Sequence, residues 1–171
     1  HLIPIIAKQV LYVGPAKMGS LQGMFGVGAL AGALLVASIP KITRHGLIFI
    51  GGCFVTFLAL LGLGISESYY LSLLVLALLG VGAAGFSTMQ AAIVVLVADI
   101  DYRGKALGVV SLAIGTGPFG AIIIGISATL FSPSTALIIN SMIGLTALTL
   151  LIFVVPSLLK IIPLNSDKVV K

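Results

Sequence analysis

The sequence predicts an all-α membrane protein, a polytopic helical bundle, and three observations carry this prediction. The 171 residues are 60% hydrophobic and 8% charged, with a mean hydropathy of +1.31. A soluble domain carries roughly 25% charged residues because its surface must be hydrated. The chain is divided into long blocks that hold no charge at all. Within those blocks the apolar residues are continuous, whereas membrane strands alternate apolar with polar positions.

Four charge-free blocks define the spans. Residues 18–40, 46–66 and 68–98 comprise 23, 21 and 31 residues, and a helix needs about 20 to cross the hydrocarbon core. The fourth block, residues 106–159, comprises 54 residues and contains the turn signal Phe131-Ser132-Pro133-Ser134-Thr135, which splits it into two helices. The five predicted spans are Met18–Ile39, Leu47–Ser66, Tyr70–Ala98, Ala106–Leu130 and Thr135–Leu159.

The basic residues predict the orientation. We place one transmembrane bundle at residues 1–160 and a cytoplasmic tail at residues 161–171. The inner segments then hold seven cations and the outer segments two, the bias that the positive-inside rule predicts. The inner cations are Lys41, Arg44, Arg103, Lys105, Lys160, Lys168 and Lys171, and the outer ones are Lys8 and Lys17.

The beginning of the chain predicts a further helix. With the C-terminus cytoplasmic, five crossings put the N-terminus outside the cell membrane, yet His1 follows no signal peptide. The stretch Leu2-Ile3-Pro4-Ile5-Ile6-Ala7 is too short to span and is typical of the outer end of a helix. We therefore expect a preceding helix upstream of His1, so that the unit has five spans plus the end of a sixth.

Small residues recur inside the predicted helices. Gly19 with Gly23 and Gly28 with Gly32 form GxxxG pairs, and the third span contains the stretch Gly80-Val81-Gly82-Ala83-Ala84-Gly85. Helices in lipid associate through close backbone approach at small residues. The pattern predicts tight packing and identifies no substrate.

The most specific local motif is the loop Asp99-Ile100-Asp101-Tyr102-Arg103-Gly104-Lys105. Asp101 is predicted to cap the following helix, where a carboxylate also complements the positive helix end. Gly104 would permit a tight turn. Arg103 and Lys105 hold the loop in the cytoplasm and can pair with either aspartate. An ordinary charged loop would have the same composition.

The fourth span contains a predicted kink at Gly115-Thr116-Gly117-Pro118-Phe119-Gly120. Pro118 removes a backbone donor, and Gly117 and Gly120 let neighbouring helices approach the bend. Such a kink suits a bundle that rocks between two states. A static packing kink fits the same residues equally well.

Polar residues inside the spans are the candidates for a substrate path. Gln22, Gln90 and Asn140 lie within predicted helices, and an amide in lipid needs a partner helix or a water-filled cavity. Interhelical hydrogen bonding and cavity lining are both open. Every Asp, Glu, Lys and Arg lies at or beyond a predicted boundary, so, if protons drive the complete protein, its titrating carboxylate is expected in the missing N-terminal half. His45 is expected to be a basic anchor in a cytoplasmic loop.

Residue types exclude several functional classes. Cys53 is the single cysteine, which excludes a disulfide framework and a multi-cysteine metal site. The cations are scattered singly, which argues against nucleic acid. Gly85-Phe86-Ser87 loosely resembles an intramembrane protease motif, but His1 and His45 lie outside the spans. We expect no enzyme and no metal or other cofactor.

The chain resembles the C-terminal half of a major facilitator superfamily transporter, most closely the branch of enterobactin exporters and macrolide efflux pumps. Leu2-Ile3-Pro4-Ile5-Ile6-Ala7 with Val10, Leu11 and Gly14 resembles the end of the seventh helix, and residues 18–35 resemble the eighth. Asp101-Tyr102-Arg103-Gly104-Lys105-Ala106-Leu107-Gly108 matches the loop between the tenth and eleventh helices. The resemblance implies that the five spans are helices eight to twelve of a twelve-helix fold.

This resemblance implies a secondary transporter that exports small amphipathic molecules by alternating access, with proton coupling as an option. The implied partners are the lipid bilayer, the N-terminal half of the same transporter and a small-molecule substrate. The loop of residues 99–105, with Lys41 and Arg44, would form a cytoplasmic gate. The family's signature acid is missing from residues 38–46, so its role does not carry over. A non-transporting membrane scaffold and an importer of the same superfamily remain alternatives.

Overall fold

The structure, a computed structural model, describes residues 14–40, 42 and 44–155. These residues form helices and no strands, which confirms the all-α prediction. The helices are α1 (Pro15–Ala37), α2 (His45–Ile65), α3 (Tyr69–Val97), α4 (Arg103–Gly115), α5 (Gly117–Leu130) and α6 (Pro133–Val154), with a 3₁₀ turn at Ile100–Tyr102.

Five helical segments in the described residues are long and apolar enough to cross a membrane, which confirms the predicted number of spans. The fourth segment, Ile100–Leu130, comprises the 3₁₀ turn, α4 and α5. The last helix ends at Val154, five residues before the predicted Leu159. Residues 1–13 and 156–171, which include the predicted upstream helix end and the cytoplasmic tail, lie outside the described residues.

Prolines lie in the first turn of three helices, α1, α5 and α6. Pro15 lies in the first turn of α1, and Pro133 lies in the first turn of α6, where a missing N–H costs nothing because that group has no partner within the helix. The Ser132 hydroxyl caps α6 and accepts a hydrogen bond from Thr135 N at 3.1 Å. The sequence Phe131–Thr135 therefore forms a two-residue connection and a capped helix start.

Helices α1 and α3 run parallel and pack backbone to backbone. A Cβ on Gly28 would collide with the Ala77 carbonyl, and one on Gly80 would collide with the Phe25 carbonyl. A Cβ on Gly32 would lie 2.8 Å from Val81 Cα. These small residues thus permit the close approach that stabilises helices in lipid. The GxxxG pair of Gly19 and Gly23 was predicted to pack as well, but no atom of the described residues lies within 4 Å of a Cβ at either position.

Helix α2 lies between α3 and α6 and runs antiparallel to both. Against α3, a Cβ on Gly82 would lie 2.6 Å from Thr56 Oγ1 and 2.8 Å from the Gly52 carbonyl oxygen. Against α6, a Cβ on Gly64 would lie 2.9 Å from Ile138 Cγ1. Four helices, α1, α2, α3 and α6, therefore form the packed bundle of the described chain.

The hydrophobic core lies among these four helices. Buried residues from α1, α2, α3 and α6 contact each other there: Leu21, Ala59, Leu63, Val75, Leu76, Leu79 and Leu137. At the α2–α3 connection, the buried hydroxyls of Ser66 and Ser72 share a hydrogen bond of 3.0 Å. Because both groups are satisfied, the short connection is buried without leaving a hydroxyl unpaired.

The fourth span differs from the bundle. Neither α4 nor α5 contains a buried residue, and glycines 104, 108, 115, 117, 120 and 125 meet nothing within 4 Å. The span is tied to α3 through the loop at its beginning and to α6 through the hairpin at its end. Within the described part of the chain, this span is therefore held by its two connections, and no other helix buries its sides.

Candidate functional site

Both predicted gate loops lie at one end of the bundle. Because α1 and α3 run parallel, with Gly28 against Ala77 and Gly32 against Val81, their C-terminal ends point toward the same side, and α3 continues beyond the level of Ala37 to Val97. The α1–α2 loop follows α1 directly, and the loop of residues 98–102 follows α3. The N-terminal end of α1, the α2–α3 connection and the α5–α6 hairpin lie at the opposite end.

The α3–α4 loop is shorter and more helical than predicted. Asp99 precedes the 3₁₀ turn, and its carbonyl accepts a hydrogen bond from Tyr102 N at 2.9 Å. Asp101 lies inside that turn and is exposed. The prediction that Asp101 caps α4 is wrong, because the turn moves the helix start to Arg103 and leaves Tyr102 at the cap position without a side-chain cap bond.

The remaining loop residues begin α4. Gly104 lies in the first helical turn, so the tight turn predicted for it is absent, because the 3₁₀ turn precedes it and α4 has already begun. Arg103 Nε donates to the Ala98 carbonyl at 3.4 Å, across the connection. The Lys105 ammonium lies 5.3 Å from the centroid of the Tyr102 ring, a cation–π geometry. The two cations therefore stabilise the loop's own conformation.

The α1–α2 loop contributes Arg44 and His45, while Lys41 lies outside the described residues. Arg44 is exposed at the cap position of α2, and its carbonyl accepts a hydrogen bond from Leu47 N at 3.1 Å. His45 was predicted in the loop but is the first residue of α2, with 8% of its surface exposed. Among the residues that the structure describes, its buried Nδ1 has no hydrogen-bond partner. The imidazole is thus part of the packed helix end and is not a solvated anchor.

The fourth span is interrupted near its midpoint. α4 ends at Gly115 and α5 begins at Gly117, with Thr116 between them. Thr116 N donates to the Ala113 carbonyl at 3.2 Å, and the Thr116 hydroxyl donates to the same carbonyl at 2.6 Å. Pro118 lies in the first turn of α5 and has no N–H, so the α-helical ladder cannot continue through it. Gly117 and Gly120 meet no neighbouring atoms.

The three candidate substrate-path amides do not form one cluster. Gln22 is exposed near the N-terminal end of α1. In the parallel pair of α1 and α3, Gln90 lies beyond the level of Ala37, the last residue of α1. Half-buried Gln90 is therefore near the end of the pair opposite to Gln22. Asn140 Nδ2 donates to the Ala136 carbonyl at 2.7 Å and to Ser127 Oγ of α5 at 3.5 Å. Asn140 therefore joins two helices.

Sequence reasoning missed one polar contact between helices. Ser20 Oγ of α1 and Tyr69 OH of α3 lie 2.6 Å apart, and the Lys17 ammonium lies 5.3 Å from the centroid of the Tyr69 ring. Only the parallel register of α1 and α3 brings these residues together, so no local motif signals it. Two adjacent tyrosines at the beginning of a span were the available hint, because tyrosines concentrate at the membrane interface.

Among known proteins, the chain shows similarity to a family. No curated protein matches the chain, and no solved structure matches it. A family model described as Major Facilitator Superfamily matches residues 2–167.

Proposed function

The chain belongs to the major facilitator superfamily, whose members are transporters rather than enzymes, and from this premise we propose that it is the C-terminal half of an exporter of small amphipathic molecules. It is a multi-pass membrane transporter protein with five apolar spans in its described residues. We place it in the cell membrane with its C-terminus cytoplasmic, an orientation supported by the distribution of lysines and arginines. Its partners in this proposal are the bilayer, the N-terminal half and the substrate.

The uncovered fourth span is the observation that carries the proposal. A span of 31 residues has no part of its apolar window buried in the described structure. Its glycines leave room for another helix along its length. An N-terminal half packed against this face would cover it, and the break at Thr116 would let the span bend as the halves rock about a site between them.

In this proposal the loop of residues 99–105 belongs to the cytoplasmic gate. Arg103 bonds across the connection to Ala98, and Lys105 lies over Tyr102, so the loop is a compact unit that transmits movement of α3 to the fourth span. Arg44 and Lys41 of the α1–α2 loop would supply further cations to this gate. Gln22 and Gln90 are proposed to line the substrate path, whereas the contacts of Asn140 support a packing role for it.

Dye efflux tests the direction and the substrate class. Cells that express the complete transporter are loaded with ethidium, an amphipathic cation, and its loss is followed by fluorescence against cells with an empty vector. Faster loss supports export of amphipathic molecules, and added uncoupler should abolish the difference if protons drive it. Faster accumulation of the dye would instead favour an importer. Equal rates would contradict export of this substrate class.

Charge reversal tests the gate. We expect Arg103→Glu to lower ethidium efflux about tenfold, because it removes the hydrogen bond from the guanidinium to the Ala98 carbonyl, and a hydrogen bond to a charged group is worth roughly 1.5 kcal/mol at the lower end of its range. Glu67→Lys is the matched control, since Glu67 is exposed in the connection at the opposite end. Membrane abundance is compared by immunoblot. Unchanged efflux of Arg103→Glu at equal abundance would contradict the gating role.

A further inference from the structure

At the end opposite the gate loops, a cation and three hydroxyl groups form a small cluster at the beginning of two parallel spans. We define the cluster as Lys17 and Ser20 of α1 with Tyr69 and Tyr70 of α3. Lys17 Nζ lies 5.3 Å from the Tyr69 ring centroid, and the Tyr69 and Tyr70 rings meet edge to face at 5.5 Å. None of these groups takes part in the proposed gate or substrate path.

The hydrogen bonds determine which group of the cluster remains available to a ligand. Ser20 Oγ donates its single proton to the Lys17 carbonyl at 2.7 Å. The 2.6 Å contact between Ser20 Oγ and Tyr69 OH is therefore donated by the tyrosine. Both hydroxyl protons are used inside the protein. The Lys17 ammonium, with three donors, is left as the group that can bind an anion, and the Tyr69 ring positions it.

The location indicates what that anion is. Lys17 and Tyr69 lie in the first turns of α1 and α3, where apolar spans begin and where lipid headgroups meet the protein. Tyr70 is 81% exposed beside them, and tyrosines with an apolar ring and a polar tip concentrate at this depth. Glu67 is the acidic residue that the structure describes at this end of the bundle. The Lys17 ammonium lies over the Tyr69 ring and not beside the Glu67 carboxylate.

We propose that this cluster binds the phosphate of an anionic phospholipid, with Lys17 as the binding group and Tyr69 as the positioning residue. An exposed ion pair between a lysine and an anionic headgroup gains up to about 1 kcal/mol, which corresponds to about fivefold in affinity. The bound headgroup would set the depth of α1 and α3 together, because the Ser20–Tyr69 bond joins the two helices. The proposal goes beyond transport and does not depend on its direction or substrate.

Native mass spectrometry of the purified protein in a neutral detergent tests it. Phosphatidylglycerol is titrated in and compared with phosphatidylcholine. We expect preferential retention of phosphatidylglycerol, up to about fivefold weaker retention by Lys17→Gln, and no weaker retention by Glu67→Gln. The second variant is a matched control, since it removes an exposed charge of the opposite sign from the same end of the bundle.

Further variants separate the roles of charge, ring and hydroxyl. Lys17→Arg and Tyr69→Phe keep the cation and the ring, so both should retain the lipid, while Tyr69→Leu should lose about threefold. Circular dichroism confirms folding, and the preference of the unmodified protein stands as a test if Lys17→Gln does not fold. Equal retention of both lipids, an equal loss in Lys17→Gln and Glu67→Gln, or displacement of the lipid by millimolar inorganic phosphate would each overturn the assignment.

Discussion

The four-helix bundle and the interrupted fourth span contain similar residues and use them differently. In the bundle, Gly28, Gly80 and Gly82 lie where a Cβ would strike the backbone or side chain of a neighbouring helix. In the fourth span, Gly108 and Gly120 meet nothing within 4 Å. A glycine in a membrane helix allows the backbone of another helix to approach closely, but it contributes to packing only where such a helix is present.

Alanine substitution gives the largest expected contrast between the two regions. Gly80→Ala places a methyl group on the Phe25 carbonyl, so we expect α1 and α3 to separate at a cost of roughly 1–3 kcal/mol. Gly108→Ala meets no atoms and should be neutral or stabilising by up to about 1 kcal/mol, because alanine is the better helix former.

Thermal unfolding of both variants in detergent, followed by circular dichroism, measures this contrast. The midpoint should fall for Gly80→Ala and stay or rise for Gly108→Ala. A fall of equal size in both would mean that the fourth span packs against the bundle, which would remove the distinction between the two regions.

The break in the fourth span gives a smaller expected effect. Pro118→Ala restores an N–H that can donate to the Ile114 carbonyl, so the two helices should join through Thr116. One additional hydrogen bond of about 1 kcal/mol slows amide exchange roughly fivefold. Hydrogen exchange followed by mass spectrometry should show this slowing across residues 114–120.

Pro133→Ala is the matched control for the break. Pro133 lies in the first turn of α6, where a restored N–H has no partner within the helix, so exchange in α6 should not change. If Pro118→Ala left exchange at residues 114–120 unaltered, the glycines and Thr116 would be the cause of the interruption and not the proline.

The smallest expected effect concerns the contact that ties the fourth span to the bundle. Asn140→Leu removes the hydrogen bond from α6 to Ser127, and interhelical bonds in membranes average about 0.6 kcal/mol. Thr149→Val is the control, because the Thr149 hydroxyl donates to Leu145 within its own helix. The thermal midpoint should fall slightly more for Asn140→Leu, and an equal shift would show that the fourth span is held by its loops alone.

Part of the candidate site was predictable and part was not. The charged loop of residues 99–105 and the proline at position 118 are local features, and a sequence displays local features directly. Asp101 was assigned to the cap of α4, but the 3₁₀ turn shifts that cap to Tyr102. His45 was assigned to a loop because it is polar and follows Arg44, yet packing of α2 buries it. Three-residue turns and burial depend on contacts that hydropathy does not record.

The sequence by itself determined the class of protein, the number of spans and the alternation of apolar spans with polar connections, because the bilayer imposes length and apolarity on each helix. The tertiary structure alone decided which glycines meet a neighbour: Gly28 and Gly32 do, and Gly19 and Gly23 do not, although both pairs have the same spacing. It also decided that Ser20 reaches Tyr69 and that the fourth span lies uncovered. The physical reason is that helix register and rotation arise from the fit of two surfaces, and a single helix carries only one of them.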